Sequence, residues 1–385
     1  MLTLIENGEI YAPEPQGRQS VLLIGDQIVR IGEEIDARVA ASILGLELEV
    51  IDATGCVVTP GIIDPHSHLI GGSGEEGFAS RTPEIQLSEI VTCGITTIVG
   101  ALGVDATTRP LISLLAKVKG LREEGMTAYL YTGHYGIPPA TFSGSIRNDL
   151  MIVEEVIGVG EIAISDHRAP QPSSEELARV VVDAHVGGML SSKAGVTHFH
   201  VGEGSRRLKP LFDLLEEYPE ISPGCLYPTH LNRSPELQDE GIELARRGSY
   251  VDMDSATEDM GRWVRRYFER GGDAKKLTLS SDSDSSAPRQ LYQIVQQCVL
   301  EYHMPLERVL ALVTANTASV LKLAGKGRLE AGKDADLLVL RKDSLEIVEV
   351  IARGRRMVKR GDLAVHEKVV ETSSRELHLV GEKEL

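Results

Sequence analysis

From Val57 onward, short β-rich runs alternate with helix-like stretches: TTIVGA, TAYLYTG, EIAISD, GVTHFHVG, GCLYPTH, SYVDMD and KLTLSSD each adjoin a helical segment. Strand–helix units repeated in series imply a parallel sheet, and with the preceding GIIDPHSHL run there are enough of them to close on themselves. The expected fold class is therefore α/β, a (β/α)8 TIM barrel, with a doubly wound open sheet as the alternative. The two ends of the chain read differently. From Met1 to about Thr59 the runs SVLLIG, QIVRIG and LEVIDA are punctuated by Gly, Asp and Pro, the pattern of a small β unit. GKGRLEAGKDADLLVL and IVEVIARGRRMVKRG return to it, so both termini are expected to pair in one small β-sandwich beside the barrel. The division this implies is 1–58 for the N-terminal part of the sandwich, 59–326 for the barrel, and 327–385 for the C-terminal part and a charged tail.

A chain of 385 residues suits a barrel with an appendage. With 42% hydrophobic and 25% charged residues it can bury a sizeable core, which excludes general disorder. A formal net charge of −17 argues against nucleic acid as a partner, because phosphate binding needs clustered Lys and Arg. Cys56, Cys93, Cys225 and Cys298 are far apart and form no C-x-x-C pair, which fits a reduced setting. MLTLIENGEIYAPEPQG lacks a basic segment leading into an apolar one, and no run approaches the roughly 18 apolar residues of a membrane span. The expectation is a cytoplasmic protein with no membrane partner.

The residues that carry chemistry stand at the ends of the β runs. In GIIDPHSHL, His66 and His68 are separated by one residue, and alternation along a strand points both imidazoles to the same side. Active sites of barrels are built at the carboxyl ends of the strands. His200 closes GVTHFH, His230 closes LYPTH and Asp282 closes LTLSSD, each on a separate expected strand. One histidine or aspartate at a strand end is ordinarily a hydrogen-bonded structural residue. Four histidines and an aspartate at such ends point instead to a metal centre, since imidazole with carboxylate suits zinc and similar ions. His198 shares a face with His200; His200 is preferred because it lies nearer the strand end, where Gly202 and Gly204 open the next loop.

GIIDPHSH, His200, His230, Asp282 and GKGRLEAGKDADLLVL resemble the amidohydrolase superfamily. Within it, HLIGGSGEEG, RTPE, YTGHYGIP, AISDHR, VGGMLSSKAGVTHFH, PTHLNR and TLSSD are similar to the isoaspartyl (beta-aspartyl) dipeptidase family, over about residues 55–365. The resemblance implies hydrolysis of the β-linked isopeptide bond of isoaspartyl dipeptides, with release of L-aspartate. It implies two divalent metal ions per subunit, zinc foremost, sharing a bridging hydroxide and a bridging carboxylate. One metal falls on His66, His68 and Asp282, the other on His200 and His230. Asp282 would carry the proton, Tyr135 would donate to the developing oxyanion, Glu75 would hold the substrate's α-amino group, and Arg168 and Arg233 its carboxylates, for which a guanidinium is well shaped. Ser286 matches a substrate-contact serine. The implied partners are a small dipeptide and further copies of the chain in a large homo-oligomer such as an octamer.

The chain also departs from that family. Ser73 stands in GGSGEEG where the family's run is all glycine, and Val104 stands in ALGVD where a threonine is expected; both fall among the substrate-binding positions. At the bridge, the family's lysine captures carbon dioxide to form a carbamate, and counting back from SDHR that position is Glu161. Glutamate keeps the charge and the two oxygens, but its carboxyl carbon is three bonds nearer the backbone, a gap of roughly 3–4 Å. GVGEIAISDHR is one residue longer than the family's run, and Gly160 permits a bulge that carries Glu161 inward. Glu161 is thus expected to bridge both metals, with no carboxylated lysine. The alternative is another amidohydrolase, acting on cyclic amides or N-acyl amino acids, against which Glu75, Arg168 and Arg233 count. A catalytically silent scaffold would be expected to lack metal ligands, and the whole set is present.

Overall fold

Each β-rich run in the middle of the chain becomes one strand of a parallel array. In the computed structural model, which describes residues 2–255, 259–284 and 288–369, the strands Ile62–Ser67, Ile95–Gly100, Thr127–Thr132, Val156–Ile164, Val196–Val201 and Leu226–Pro228 form a six-stranded parallel sheet in chain order. Val251–Asp254 and Leu277–Ser280 pair in parallel beside it, completing the first to eighth barrel strands. The two sets meet at both edges. Between the sixth and seventh strands, Thr229 Oγ1 donates to Asp252 Oδ2 at 2.6 Å. Between the eighth and the first, Asp282 N donates to His66 O and His68 N to Ser283 O, both at 3.0 Å. The barrel therefore closes at residues expected to hold metal. Buried carboxylates brace that closure: Asp64 accepts from Ser281 N at 3.1 Å and Oγ at 2.5 Å, and Asp252 accepts from Thr278 and Ser280 hydroxyls at 2.6 Å. Burial pushes the Asp64 carboxyl up to about 6 and that of Asp252 to about 7, against the pull of those hydroxyls.

Helices cover the outside of the barrel, and Ser174–Ser191 shows why they form. Ser173 Oγ accepts from Glu176 N while Glu176 Oε2 accepts from Ser173 N, so two first-turn amides are satisfied reciprocally. Leu177, Val180, Val181 and Ala184 recur at helical spacing and are buried against the fourth and fifth strands. At about 1.5–3 kcal/mol for each large side chain removed from water, that stripe holds the helix more firmly than intrinsic propensity does.

Strands from both ends of the chain join in one nine-stranded sheet. Its seam is Cys56–Pro60 against Leu337–Arg341, antiparallel, with Val58 opposite Val339. Leu2–Tyr11 lies beside Cys56–Pro60 and carries Pro15–Ile24 and Leu48–Asp52. Ile10, Val21, Leu23, Val58, Leu337 and Val339 are buried together in a core separate from that of the barrel. Cys56–Pro60 runs past residue 58 and leads, through Gly61, straight into the first barrel strand, so the seam fixes where His66 and His68 emerge. All four cysteines are buried and unpaired, and among the described residues no helix is long and apolar enough to cross a membrane.

Candidate metal centre

All six side chains expected at the metals meet at the carboxyl end of the barrel. His66 projects from the first strand and His68 just beyond it, Glu161 from the fourth, His200 from the fifth, His230 from just after the sixth and Asp282 from just after the eighth. Glu161 divides them into two groups. Its Oε2 lies 3.0 Å from His66 Nε2 and 3.5 Å from His68 Nε2, while its Oε1 lies 3.3 Å from His200 Nδ1 and 3.5 Å from His230 Nε2. Asp282 Oδ1 is 3.3 Å from His66 Nε2 and 3.2 Å from His68 Nε2. Donor atoms of His66, His68, Glu161 and Asp282 are close enough to hold one ion, and those of Glu161, His200 and His230 a second. His230 and Asp282 sit at φ 69° and 45°, a backbone region that side chains avoid unless the surroundings impose it, as they do at functional sites.

A bulge brings Glu161 to this point. Val159 pairs with Thr197 and Ile162 with Phe199, so Gly160 and Glu161 together oppose His198. A Cβ at Gly160 would come 2.8 Å from the Cβ and the carbonyl oxygen of His198, so the close approach requires glycine. His198 itself lies one layer deeper, stacked on Tyr131 at 5.2 Å with its Nδ1 3.0 Å from the Tyr227 carbonyl, and belongs to neither ligand group. Lys193 donates to the carbonyls of Leu150 and Val153, at the amino ends of the fourth and fifth strands and away from the site.

Neighbouring acceptors fix the tautomers of the histidines. His68 Nδ1 faces Ala101 O at 3.3 Å, His200 Nε2 faces Asp166 Oδ2 at 2.9 Å, and His230 Nδ1 faces Asp254 Oδ2 at 2.6 Å. Each of these nitrogens donates, so the lone pairs of His68 Nε2, His200 Nδ1 and His230 Nε2 turn inward. His200 Nδ1 and His230 Nε2 are 2.9 Å apart, and two lone pairs so placed repel unless a proton or a cation lies between them. His66 Nε2 and Glu161 Oε2 are buried and only 3.0 Å apart, yet neither has a hydrogen bond of acceptable geometry. Burial alone would raise the Glu161 carboxyl, but His66 beside it holds it well below the usual range. Burial opposes charge on His66, yet Glu161 and Asp282 raise that imidazole to about 10. A cluster that keeps a buried carboxylate ionised and favours positive charge on His66, His68 and His230, although burial lowers His200, fits divalent cations.

Asp166 and Asp254 were missed in the sequence. The signal that could have found them is position, since Asp166 follows the fourth strand in SDHR and Asp254 ends the seventh. Gly202 makes room for the first: a Cβ there would meet Asp166 Cβ at 2.4 Å.

The substrate-facing residues gather around the same point. Tyr135 OH is 2.7 Å from His200 Nδ1, and burial together with Glu161 and Asp282 pushes the phenol well above its usual range despite Arg168 and Arg233, so it stays a neutral donor. Arg168 donates through Nε and Nη2 to Asp166, both at 2.8 Å, and through Nη1 to Glu75 Oε1 at 2.6 Å. Arg233 Nη1 donates to Val201 O at 2.6 Å and lies 3.3 Å from His200 Nε2. Glu75, Tyr135, Arg168 and Arg233 line one cavity of about 130 Å3 with His68, His200 and Asp282. Ser73 and Val104 line it too; Ser73 Oγ donates to Asp284 Oδ2 at 3.1 Å, and Val104 is exposed at its edge. Ser286 lies outside the described residues. His167 is exposed and in neither ligand group.

Residues 57–359 match the amidohydrolase family. The crystal structure of a beta-aspartyl dipeptidase from the thermophilic, keratin-degrading Fervidobacterium islandicum AW-1 is 41% identical with a TM-score of 0.89, the match covering 95% of this chain and 99% of that one. The same organism's enzyme in complex with the beta-Asp-Leu dipeptide gives 39% identity and a TM-score of 0.89, over 95% and 98%. An imidazolonepropionase from Methylobacterium sp. (strain 4-46) is 26% identical over 327 residues, 76% of this chain and 80% of that protein. The chain belongs to the amidohydrolase family of hydrolytic enzymes, and within it to the group that contains the beta-aspartyl dipeptidases.

Proposed function

We propose that this enzyme hydrolyses the β-linked isopeptide bond of isoaspartyl dipeptides and releases L-aspartate. The observation that carries the reading is a cavity that opens onto the ligand cluster and is walled by Glu75, Arg168 and Arg233. One carboxylate and two guanidiniums match the free amine and the two carboxylates of such a dipeptide, and a cyclic amide has no use for them. The bound beta-Asp-Leu of the similar Fervidobacterium enzyme supports the same substrate class.

Two divalent ions, zinc foremost, on His66, His68 and Asp282 and on His200 and His230, with Glu161 common to both, would supply a water ionised near neutral pH and polarise the carbonyl. Asp282, whose side chain keeps 20% exposure towards the cavity, takes the proton of the attacking water and passes it to the leaving amine. Tyr135 donates to the carbonyl oxygen as negative charge develops there. Glu75 and Arg168 exchange their mutual ion pair for the substrate's amine and one carboxylate, and Arg233 takes the other. Asp166 and Asp254 hold His200 and His230 in their ligating tautomers. The same reading takes the enzyme as cytoplasmic and homo-oligomeric, an octamer being the first expectation. It takes the terminal sheet as a folded-over sandwich, with divisions at 1–58, 59–326 and 327–385. The test is a panel of β-aspartyl dipeptides, α-aspartyl controls and cyclic amides, with metal content measured on the same preparation. Turnover confined to the β-linked compounds is expected, and a preference for either of the others would overturn the reading.

A further inference from the structure

A second cavity, of about 470 Å3, adjoins the catalytic one. Ser73, Glu75, Val104, Asp105 and Arg168 line both, so the two are chambers on either side of a common wall. The outer chamber is edged by Phe78, which is 84% exposed and, among the described residues, packs against no apolar cluster. Val104, 39% exposed, is the other large apolar side chain there. An aromatic ring left in water beside a catalytic cavity is apolar surface that a ligand can cover.

The polar groups of this chamber already have partners. Arg81 Nη2 donates to Thr108 O at 3.3 Å, and Asp105 Oδ1 accepts from Thr107 N and Thr108 N at 3.0 and 2.8 Å. His167 Nδ1 lies 3.4 Å from Asp166 Oδ1. Glu75 and Arg168 pair with each other at 2.6 Å and face the catalytic side as well. Phe78 and Val104 are the large apolar side chains of its lining left to meet an apolar ligand group. Resting on the dipeptide reading above, the leaving residue branches at the atom next to the scissile nitrogen, so its side chain starts inside the catalytic cavity, and the outer chamber across the wall that Glu75 and Arg168 share is the space adjoining it.

We propose that the outer chamber receives the side chain of the leaving residue, and that Phe78 together with Val104 makes the enzyme select apolar residues there. Phe78 is a specificity residue on this view and takes no part in bond breaking. The test compares kcat/KM for β-Asp-Leu and β-Asp-Gly in the wild type, Phe78→Ala and Phe78→Tyr. The wild type is expected to favour leucine about 10-fold or more, the low end of the scale on which a single methylene group is discriminated in an apolar pocket. Phe78→Ala should reduce that ratio to roughly 3 or less, through KM rather than kcat, as loss of uniform binding does. Phe78→Tyr should keep the ratio. Turnover of both dipeptides with the same ratio in wild type and Phe78→Ala overturns the chamber alone, whereas no turnover of any β-aspartyl dipeptide overturns the dipeptide reading and the chamber with it.

Discussion

Replacing Glu161 by alanine tests the site at its centre. A unit positive charge about 4 Å from a carboxylate is held by about 4 kcal/mol at an effective dielectric of about 20. The gaps of 3.0 to 3.5 Å between Glu161 and four histidines keep any ion ligated among them within that reach. Losing even this unit-charge attraction weakens ion binding about 10³-fold, and a divalent ion loses more. Binding stabilises the fold by RT ln(1 + [L]/Kd), so at free metal about 1,000 times the wild-type Kd the wild type gains about 4 kcal/mol and the variant about 0.4 kcal/mol. With an unfolding entropy of about 2.1 cal/mol/K per residue over 385 residues, the difference is roughly 4–5 °C in the metal-dependent part of Tm. The assay is metal content after dialysis, with Tm measured with and without chelator, so that each protein is its own reference for the cavity the truncation leaves. Bicarbonate should leave wild-type activity unchanged, because a glutamate needs no carbon dioxide to bridge. Glu161→Lys in bicarbonate should not restore binding, because from the bulged strand the glutamate carboxylate already reaches all four histidines and a longer side chain overshoots them. Full occupancy with an unchanged chelator shift in Glu161→Ala, or wild-type activity that depends on bicarbonate, refutes the argument.

Asp282→Asn should keep the circular dichroism spectrum of the wild type and lose at least about 10²-fold in kcat, since the proton carrier is gone; substantial residual turnover would remove Asp282 from that role. Asp254→Asn and Asp166→Asn should each weaken metal binding about 10- to 100-fold by loosening His230 or His200, measured by competition with a chromophoric chelator, and wild-type affinity in both would contradict the tautomer argument. Glu75→Gln and Arg233→Lys should lower kcat/KM for isoaspartyl dipeptides about 10- to 100-fold with metal content intact, the scale of one charge-assisted hydrogen bond of about 1.5–3 kcal/mol. If both variants behave as wild type on every dipeptide, the clamps are misassigned.

The candidate ligands His66, His68, His200, His230 and Asp282 were legible because they stand at the ends of β runs, and strand periodicity is local; Glu161, inside its strand, was legible only through the family resemblance. His66 and His68 share a face by counting alone, and the preference for His200 over His198 followed from distance to the strand end; the structure places His198 a layer below, against Tyr131 and Tyr227. The barrel was legible from repetition of the same short unit. The bulge at Gly160 was legible only as an extra residue in GVGEIAISDHR, and its register against His198 is a property of two paired strands.

By itself, then, the sequence determined which side chains could ligate and the end of the barrel from which they project, because strand alternation and turn chemistry act over a few residues. The tertiary structure decided what each ring nitrogen meets. His230 finds Asp254 across 24 positions, His200 finds Asp166 across 34, and Arg168 finds Glu75 across 93. Asp282 reaches His66 only because the eighth strand closes on the first, where Ser281 bonds to Asp64 across 217 positions. Such meetings depend on barrel closure and loop packing, which no local period encodes, and they are what turns a set of strand-end residues into two ligand groups with a common carboxylate.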